Sequence, residues 1–153
     1  MGVRLNSTLM IISLLLVFSS LFVSGKQIPL SLGGEELSSP TDWIKEEQIQ
    51  VYEKRVIIDL EGAKWATFTN TNSMDPVLDE TAHALEIPPS ENIEVGDIIS
   101  YQTPYGIIVH RVVEKGIDEK GLYYLVKGDN NNLIDPFKVR FDDIVGVVVM
   151  IVY

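Results

Sequence analysis

The chain contains no cysteine and only two histidines among its 153 residues. The absence of cysteine excludes a disulfide scaffold, a thiolate-bound zinc site and a thiol nucleophile. Because two histidines could supply only part of a zinc site, carboxylates would have to supply the rest, and we expect no metal or other cofactor. Glycine-rich phosphate loops are missing too. The pair Gly33 and Gly34 is isolated, and neither GxGxxG nor GxxxxGK[ST] occurs.

Basic residues are scarce and unevenly placed. The chain has 12 Lys plus Arg against 22 Asp plus Glu, a net charge of −10. Residues 1–25 carry a single charged side chain, Arg4, so the remainder has a net charge of −11. An acidic domain without a basic stripe repels phosphate backbones, so no nucleic-acid partner is expected. The composition therefore indicates an apolar leader followed by one acidic domain.

The leader is long enough to cross a membrane. Residues 5–25 are uncharged, and a helix of this length spans about 30 Å, roughly the hydrocarbon core of a bilayer. A cleaved secretory signal peptide is the competing interpretation, because small residues end the run at Ser24 and Gly25. We favour a membrane anchor over residues 1–25. Arg4 would keep the N-terminus cytoplasmic and place the acidic domain on the extracytoplasmic side of the bilayer.

The rest of the chain is predicted to be mainly β. Residues 26–50 are interpreted as a linker with a short helix from Thr41 or Asp42 to about Gln48. Residues 51–153 form the predicted β-rich domain, with a hairpin turn at Glu61 and Gly62. Its strands are predicted at residues 51–60, 63–69, 98–102, 107–114, 122–127 and 144–153. The segment DETAHALE is interpreted as an exposed loop in which His83 is solvated.

Three polar signals have ordinary explanations when each is taken alone. Ser73 lies in the turn-like run NTNSMDP, His110 in the apolar strand IIVHRVV, and Asp129 and Asp135 in the loop KGDNNNLIDP. Together they supply a hydroxyl nucleophile, a base that activates it, and a carboxylate that orients the base. The combination therefore favours serine-type hydrolytic chemistry.

These segments resemble a known family. NSMDP looks like the serine box, SMxP, of type I signal peptidases. IIVHRVVE is similar to the strand carrying the general base, where bacterial members have Lys-Arg and the endoplasmic-reticulum and archaeal members have His-Arg. VGDIISY and KGDNNNLIDP resemble the other two boxes. The boxes stand in the family's order over about residues 70–143, nearly half of the chain, behind an apolar N-terminal segment.

The resemblance implies a signal-peptidase-like β domain behind one transmembrane helix. It implies a serine endopeptidase that cleaves signal peptides from exported preproteins after small residues. Ser73 would be the nucleophile, His110 the general base and Asp135 its carboxylate partner, with Asp129 as a second, supporting carboxylate. The hydroxyl of Thr71 and the backbone N–H of Ser73 would form the oxyanion hole. The partners would be preproteins and the bilayer; the sequence identifies no accessory membrane subunit.

One segment departs from the family pattern. Residues 79–92 replace a compact Gly-Asp turn, and we expect them to form part of the substrate cleft or a membrane-facing rim.

Two other functional hypotheses compete with the signal peptidase. A Ser-Lys self-cleaving repressor is disfavoured because His110 occupies the place of the lysine. The alternative from another class is a non-catalytic, membrane-tethered β domain that binds peptides or partner proteins.

Overall fold

The computed structural model describes residues Glu36–Tyr153. The predicted membrane segment at residues 1–25 and the first part of the predicted linker lie outside them. The prediction of a mainly β domain is confirmed, because the described residues form two antiparallel sheets. No helix in this part of the chain is long and apolar enough to cross a bilayer.

A hairpin and a six-stranded sheet make up the domain. Strands β1 (Ile49–Tyr52) and β2 (Arg55–Ile58) pair with each other. The larger sheet has the order β3-β4-β8-β5-β6-β7, with every neighbouring pair antiparallel. Its strands are β3 (Lys64–Thr67), β4 (His83–Ile87), β5 (Ile98–Thr103), β6 (Gly106–Asp118), β7 (Gly121–Lys127) and β8 (Ile144–Val152).

Three predictions in the first part of the domain are wrong. The expected helix from Thr41 to Gln48 is a single 3-10 turn at Glu46–Gln48, because the Thr41 backbone N–H and hydroxyl both bond Asp97 instead of starting a helix. The strand predicted at residues 51–60 is divided into β1 and β2. The turn at Glu61 and Gly62 does not close a hairpin, since β2 pairs with β1 and β3 pairs with β4.

Strand β4 was not predicted, and the interpretation of His83 as solvated is wrong. The strand shows the alternating burial of a half-buried strand, with Ala84 fully buried and Glu86 9% exposed. His83 is half-buried, and its ring stacks on Trp65 with centroids 5.1 Å apart. The strand has only five residues, and these include a small and a charged one, so the alternation of apolar and polar residues is too weak to identify it from sequence.

The sheet buries apolar side chains on both faces. Adjacent residues Ile98 and Ile99 point to opposite sides, as successive residues of a strand do, and each belongs to a different core cluster. The larger cluster comprises Ile93, Ile99, Tyr101, Val112, Tyr124, Val126, Val139, Ile144 and Val147. The smaller cluster comprises Met74, Leu78, Ala82, Ala84, Ile98 and Val148. The smaller cluster anchors the loop that carries Ser73.

A fully buried carboxylate connects the segment before β1 to the sheet. Asp97 accepts hydrogen bonds from Thr41 N (2.6 Å), Thr41 Oγ1 (3.1 Å) and Trp43 Nε1 (3.0 Å). It also accepts one from Glu94 N at 2.9 Å. A buried charge is tolerated when its oxygens are satisfied in this way.

Replacing Asp97 with asparagine is expected to lower the free energy of unfolding by about 3 kcal/mol, because an amide cannot accept all four bonds and loses their charge assistance. Urea denaturation of the detergent-solubilised full chain, followed by Trp fluorescence, measures the change. The matched control Thr41→Val removes one hydroxyl and should cost about 1 kcal/mol. Equal stability of wild type and Asp97→Asn would contradict this assignment.

Candidate active site

The Ser73 loop is fixed from the core side. It connects β3 to β4, and its members Met74 and Leu78 are each only 4% exposed. The backbone N–H groups of Val77 and Leu78 both donate to Met74 O, at 2.9 and 3.0 Å. Asn72, at φ +57°, adopts the left-handed conformation that asparagine tolerates better than most residues. Ser73 itself is half-buried at the loop surface.

A second loop, between β7 and β8, holds the Ser73 loop from the other side. Asn130 N donates to Ser73 O at 3.0 Å, and Asn130 Nδ2 donates to Asn72 O at 2.9 Å. At Gly128, a Cβ atom would lie 2.4 Å from Ser73 O and 2.9 Å from His110 Nε2. Only glycine fits at this distance, so the serine loop and the imidazole approach each other across Gly128.

His110 and Asp135 form a largely buried pair. His110 lies on β6 with 6% exposure, and its Nδ1 is 2.6 Å from Asp135 Oδ2. The backbone of Asp135 is held in turn, because its N–H donates to Val126 O at 2.9 Å. Tyr101 on β5 donates its hydroxyl to the same Asp135 oxygen. The carboxylate therefore accepts from two side chains at once.

The electrostatics of this group fix the tautomer of the histidine. Burial raises the pKa of Asp135, but the hydrogen bonds from His110 and Tyr101 and the positive charge available at His110 reverse that effect, so the net pKa is lowered. The pKa of Tyr101 is raised, chiefly by burial and also by the hydrogen bond to Asp135 and the negative charge of that carboxylate. The Tyr101 hydroxyl therefore keeps its proton and donates a hydrogen bond to Asp135. Since Asp135 is an ionised acceptor, Nδ1 of His110 carries the proton and Nε2 is left as an acceptor.

Thr71 and Ser73 meet at the exposed side of the loop. Thr71 Oγ1 is 3.0 Å from Ser73 Oγ, and Ser73 N points to the same threonine oxygen at 3.5 Å. The hydroxyl of Ser73 thus bonds Thr71 in the described structure, and rotation of its side chain is needed to direct it to Nε2 of His110. The hydrogen bond between a nucleophile and its general base is often long or poorly aligned in an unliganded site and tightens only when substrate binds.

Asp129 does not contact Ser73 or His110 through its carboxylate. Its two oxygens accept from Arg111 Nε at 2.8 Å and Arg111 Nη2 at 2.7 Å, a bidentate pair with both side chains buried. Arg111 also donates to Gly96 O at 2.7 Å, and Asp129 N points to Met74 Sδ at 3.4 Å. Asp129 therefore supports the backbone beside the site instead of reaching into it.

Ser73, Thr71 and His110 line one groove of about 550 Å³. Most of the remaining lining is apolar and comes from β3, β6 and the Ser73 loop. Its polar members are Thr67, Thr69, Glu86 and Ser100. Within residues 36–153, no three His, Asp or Glu side chains converge in a way that could hold a metal ion. Comparisons of the chain with protein-family models, with curated proteins and with solved structures find no match.

Sequence reasoning missed three residues of the site: Tyr101, Gly128 and Asn130. For Tyr101 a signal existed. His110 pairs with Ile99 in the β5–β6 register, which makes Tyr101 a diagonal neighbour within reach of a long side chain. Gly128 and Asn130 lie inside the KGDNNN run, but their contacts to Ser73 join two distant loops and have no local sequence signature.

Tyr101→Phe is expected to lower the free energy of unfolding by about 1 to 2 kcal/mol, because the ionised Asp135 then loses one of its two side-chain donors. Urea denaturation of the detergent-solubilised full chain measures the change. The matched control is Tyr124→Phe: the buried Tyr124 hydroxyl has no hydrogen-bond partner among the described residues, so its removal should leave stability unchanged or raise it. Equal stability of wild type and Tyr101→Phe would contradict the support that Tyr101 gives to Asp135.

Proposed function

We propose that this chain is a membrane-anchored serine endopeptidase of the signal peptidase I type, with a signal-peptidase-like β domain. It would remove signal peptides from exported preproteins by cleaving after small residues. The observation that carries the proposal is the shared groove, in which Ser73 and the Asp135-held His110 approach each other across Gly128. The order of the sequence boxes supports the same family.

In this proposal Ser73 Oγ attacks the carbonyl carbon of the scissile peptide bond. His110 Nε2 accepts the hydroxyl proton and then donates it to the amine of the leaving segment, which departs as the C–N bond breaks. Water, activated by the same nitrogen, hydrolyses the acyl-enzyme and restores Ser73. Asp135 stays ionised throughout and stabilises the imidazolium that forms in each step.

The negative oxygen of the tetrahedral intermediate would be bound beside Ser73 and Thr71. The Ser73 N–H and the Thr71 hydroxyl lie at the same end of the loop, with Thr71 Oγ1 3.5 Å from Ser73 N and 3.0 Å from Ser73 Oγ. Both groups are donors, as an oxyanion hole requires. Thr71 can donate to the substrate oxygen once Ser73 Oγ has rotated to His110.

An extended substrate can be accommodated beside the sheet. β3 is an edge strand of the six-stranded sheet, and its residues Ala66 and Thr67 line the groove. An edge strand offers unpaired backbone groups to an incoming extended peptide, which would pair with it and place alternate side chains into the groove. In the proposal the leader at residues 1–25 is the anchor that holds this groove near the bilayer surface.

The test is cleavage of a preprotein with a small-residue processing site by the detergent-solubilised full chain. Ser73→Ala and His110→Ala should each lower kcat by about 10⁶, and Asp135→Ala by about 10⁴, because each removes part of one catalytic unit. The matched control is His83→Ala, which removes the only other histidine; His83 does not line the groove and should keep wild-type activity.

Two results would contradict the proposal: a wild-type chain that cleaves no preprotein, or a Ser73→Ala variant that cleaves as fast as wild type. The non-catalytic peptide-binding alternative is favoured by the hydrogen bond of Ser73 Oγ to Thr71 instead of His110. This alternative predicts that Ser73→Ala binds peptide with unchanged affinity and that neither the wild-type chain nor any variant cleaves the peptide.

Gly128→Ala is expected to reduce kcat by at least about 10²-fold while the domain stays folded. Its methyl group would lie 2.4 Å from Ser73 O and 2.9 Å from His110 Nε2, which forces the nucleophile loop away from the base. The control Gly121→Ala meets no atom within 4 Å but sits at φ +97°, so it should lose stability and keep activity. Paired kcat and thermal unfolding measurements test this, and full activity of Gly128→Ala would contradict the geometry.

A further inference from the structure

An acidic side chain lies in the wall of the groove described above. Glu86, on β4, is only 9% exposed, yet it lines the same groove as Ser73 and His110. Among the other lining residues are Ala66, Phe68, Val109 and Val145, which are apolar. A carboxyl group in such surroundings loses hydration, and this cost is offset only if hydrogen-bond partners are present.

Gly146 provides the space that the carboxyl group occupies. It lies on β8, between β4 and β5, and pairs with Ser100 in the sheet register. A Cβ atom at Gly146 would lie 3.0 Å from Glu86 Oε2 and 3.3 Å from Ser100 Oγ. Ser100 also lines the groove; its hydroxyl donates to Gly146 O at 3.5 Å and lowers the pKa of the nearby Glu86 carboxyl. The missing side chain therefore leaves room for two polar groups next to each other.

The surroundings of Glu86 suit a hydrogen-bonding ligand better than a cation. Burial raises the pKa of Glu86, and the Ser100 hydroxyl and the charge of Lys64 reverse this only in part. Lys64 on β3 stands directly opposite Glu86 in the register, so positive charge is already supplied nearby. A bound cation would be repelled by Lys64 and would face a carboxyl group whose raised pKa makes it a weaker anionic ligand.

We propose that Glu86 and Ser100 form a polar subsite that binds a hydroxyl-bearing side chain, serine or threonine, of the substrate peptide. The inference rests on the proposed peptidase function and specifies its substrate class. The carboxyl can accept a hydrogen bond from the hydroxyl of the substrate, and the serine hydroxyl can donate to it or accept from it. An isosteric valine would fill the same volume but leave both buried groups without that partner.

The experiment compares peptide substrates that differ only by threonine or valine at each of the four positions before the cleaved bond. At one position the wild-type chain should prefer threonine by about tenfold in kcat/KM, about the effect of one additional hydrogen bond. Glu86→Gln keeps a donor and an acceptor and should retain the preference. Glu86→Leu should lower the threonine-to-valine ratio of kcat/KM to about one or reverse it. Ser100→Ala, which removes only a hydroxyl, should have the same effect.

The same peptides are also bound to the Ser73→Ala variant of the full chain, and the ratio of their Kd values is measured. A wild-type chain that cleaves peptides with equal kcat/KM for threonine and valine at every position would overturn the subsite and leave the peptidase proposal standing. Lysine preferred over threonine would also overturn it. If no peptide is cleaved, the proposed function fails, and the Kd ratio alone decides the subsite: tenfold supports it and unity overturns it.

Discussion

The hydrogen bond between His110 Nδ1 and Asp135 Oδ2 is the contact on which the candidate site depends. It fixes the orientation of the imidazole and its tautomer, and it leaves Nε2 as the acceptor facing the Ser73 loop. Tyr101 donates to the same oxygen from the neighbouring strand, so the carboxylate is held from two sides. The pair lies largely buried where β6 meets the loop after β7, and the rest of the sheet holds those two segments in place.

The two loops of the site meet only because glycine stands at their crossing. Gly128 lets the carbonyl of Ser73 and Nε2 of His110 approach the same backbone atom, and Asn130 adds a hydrogen bond to that carbonyl. Gly146 plays a comparable part elsewhere in the groove, where its missing side chain makes room for Glu86 and Ser100. Two absent side chains thus shape the geometry of the groove as much as the functional groups do.

Much of this could be predicted from the sequence, for identifiable reasons. Strands β5 to β8 have long apolar runs bounded by turn residues, and Ser73, His110 and Asp135 stand in short segments with a recognisable order. The structure brings these three to one region, but their catalytic roles stay predictions. Strand β4 was not predicted because its five residues include His83 and Glu86, whose burial depends on neighbouring strands. Thr41 gave a false helix start because its true partner, Asp97, is 56 residues away.

In the proposed mechanism Ser73, activated by His110, forms a covalent acyl intermediate. Acid-quenching the full chain during turnover of a peptide ester, followed by mapping of the adduct by mass spectrometry, tests this step. The expected result is an acyl group on Ser73 that carries the N-terminal part of the substrate, is absent in Ser73→Ala and forms far more slowly in His110→Ala. Turnover without an adduct on Ser73, or an adduct that forms equally fast without His110, would contradict it.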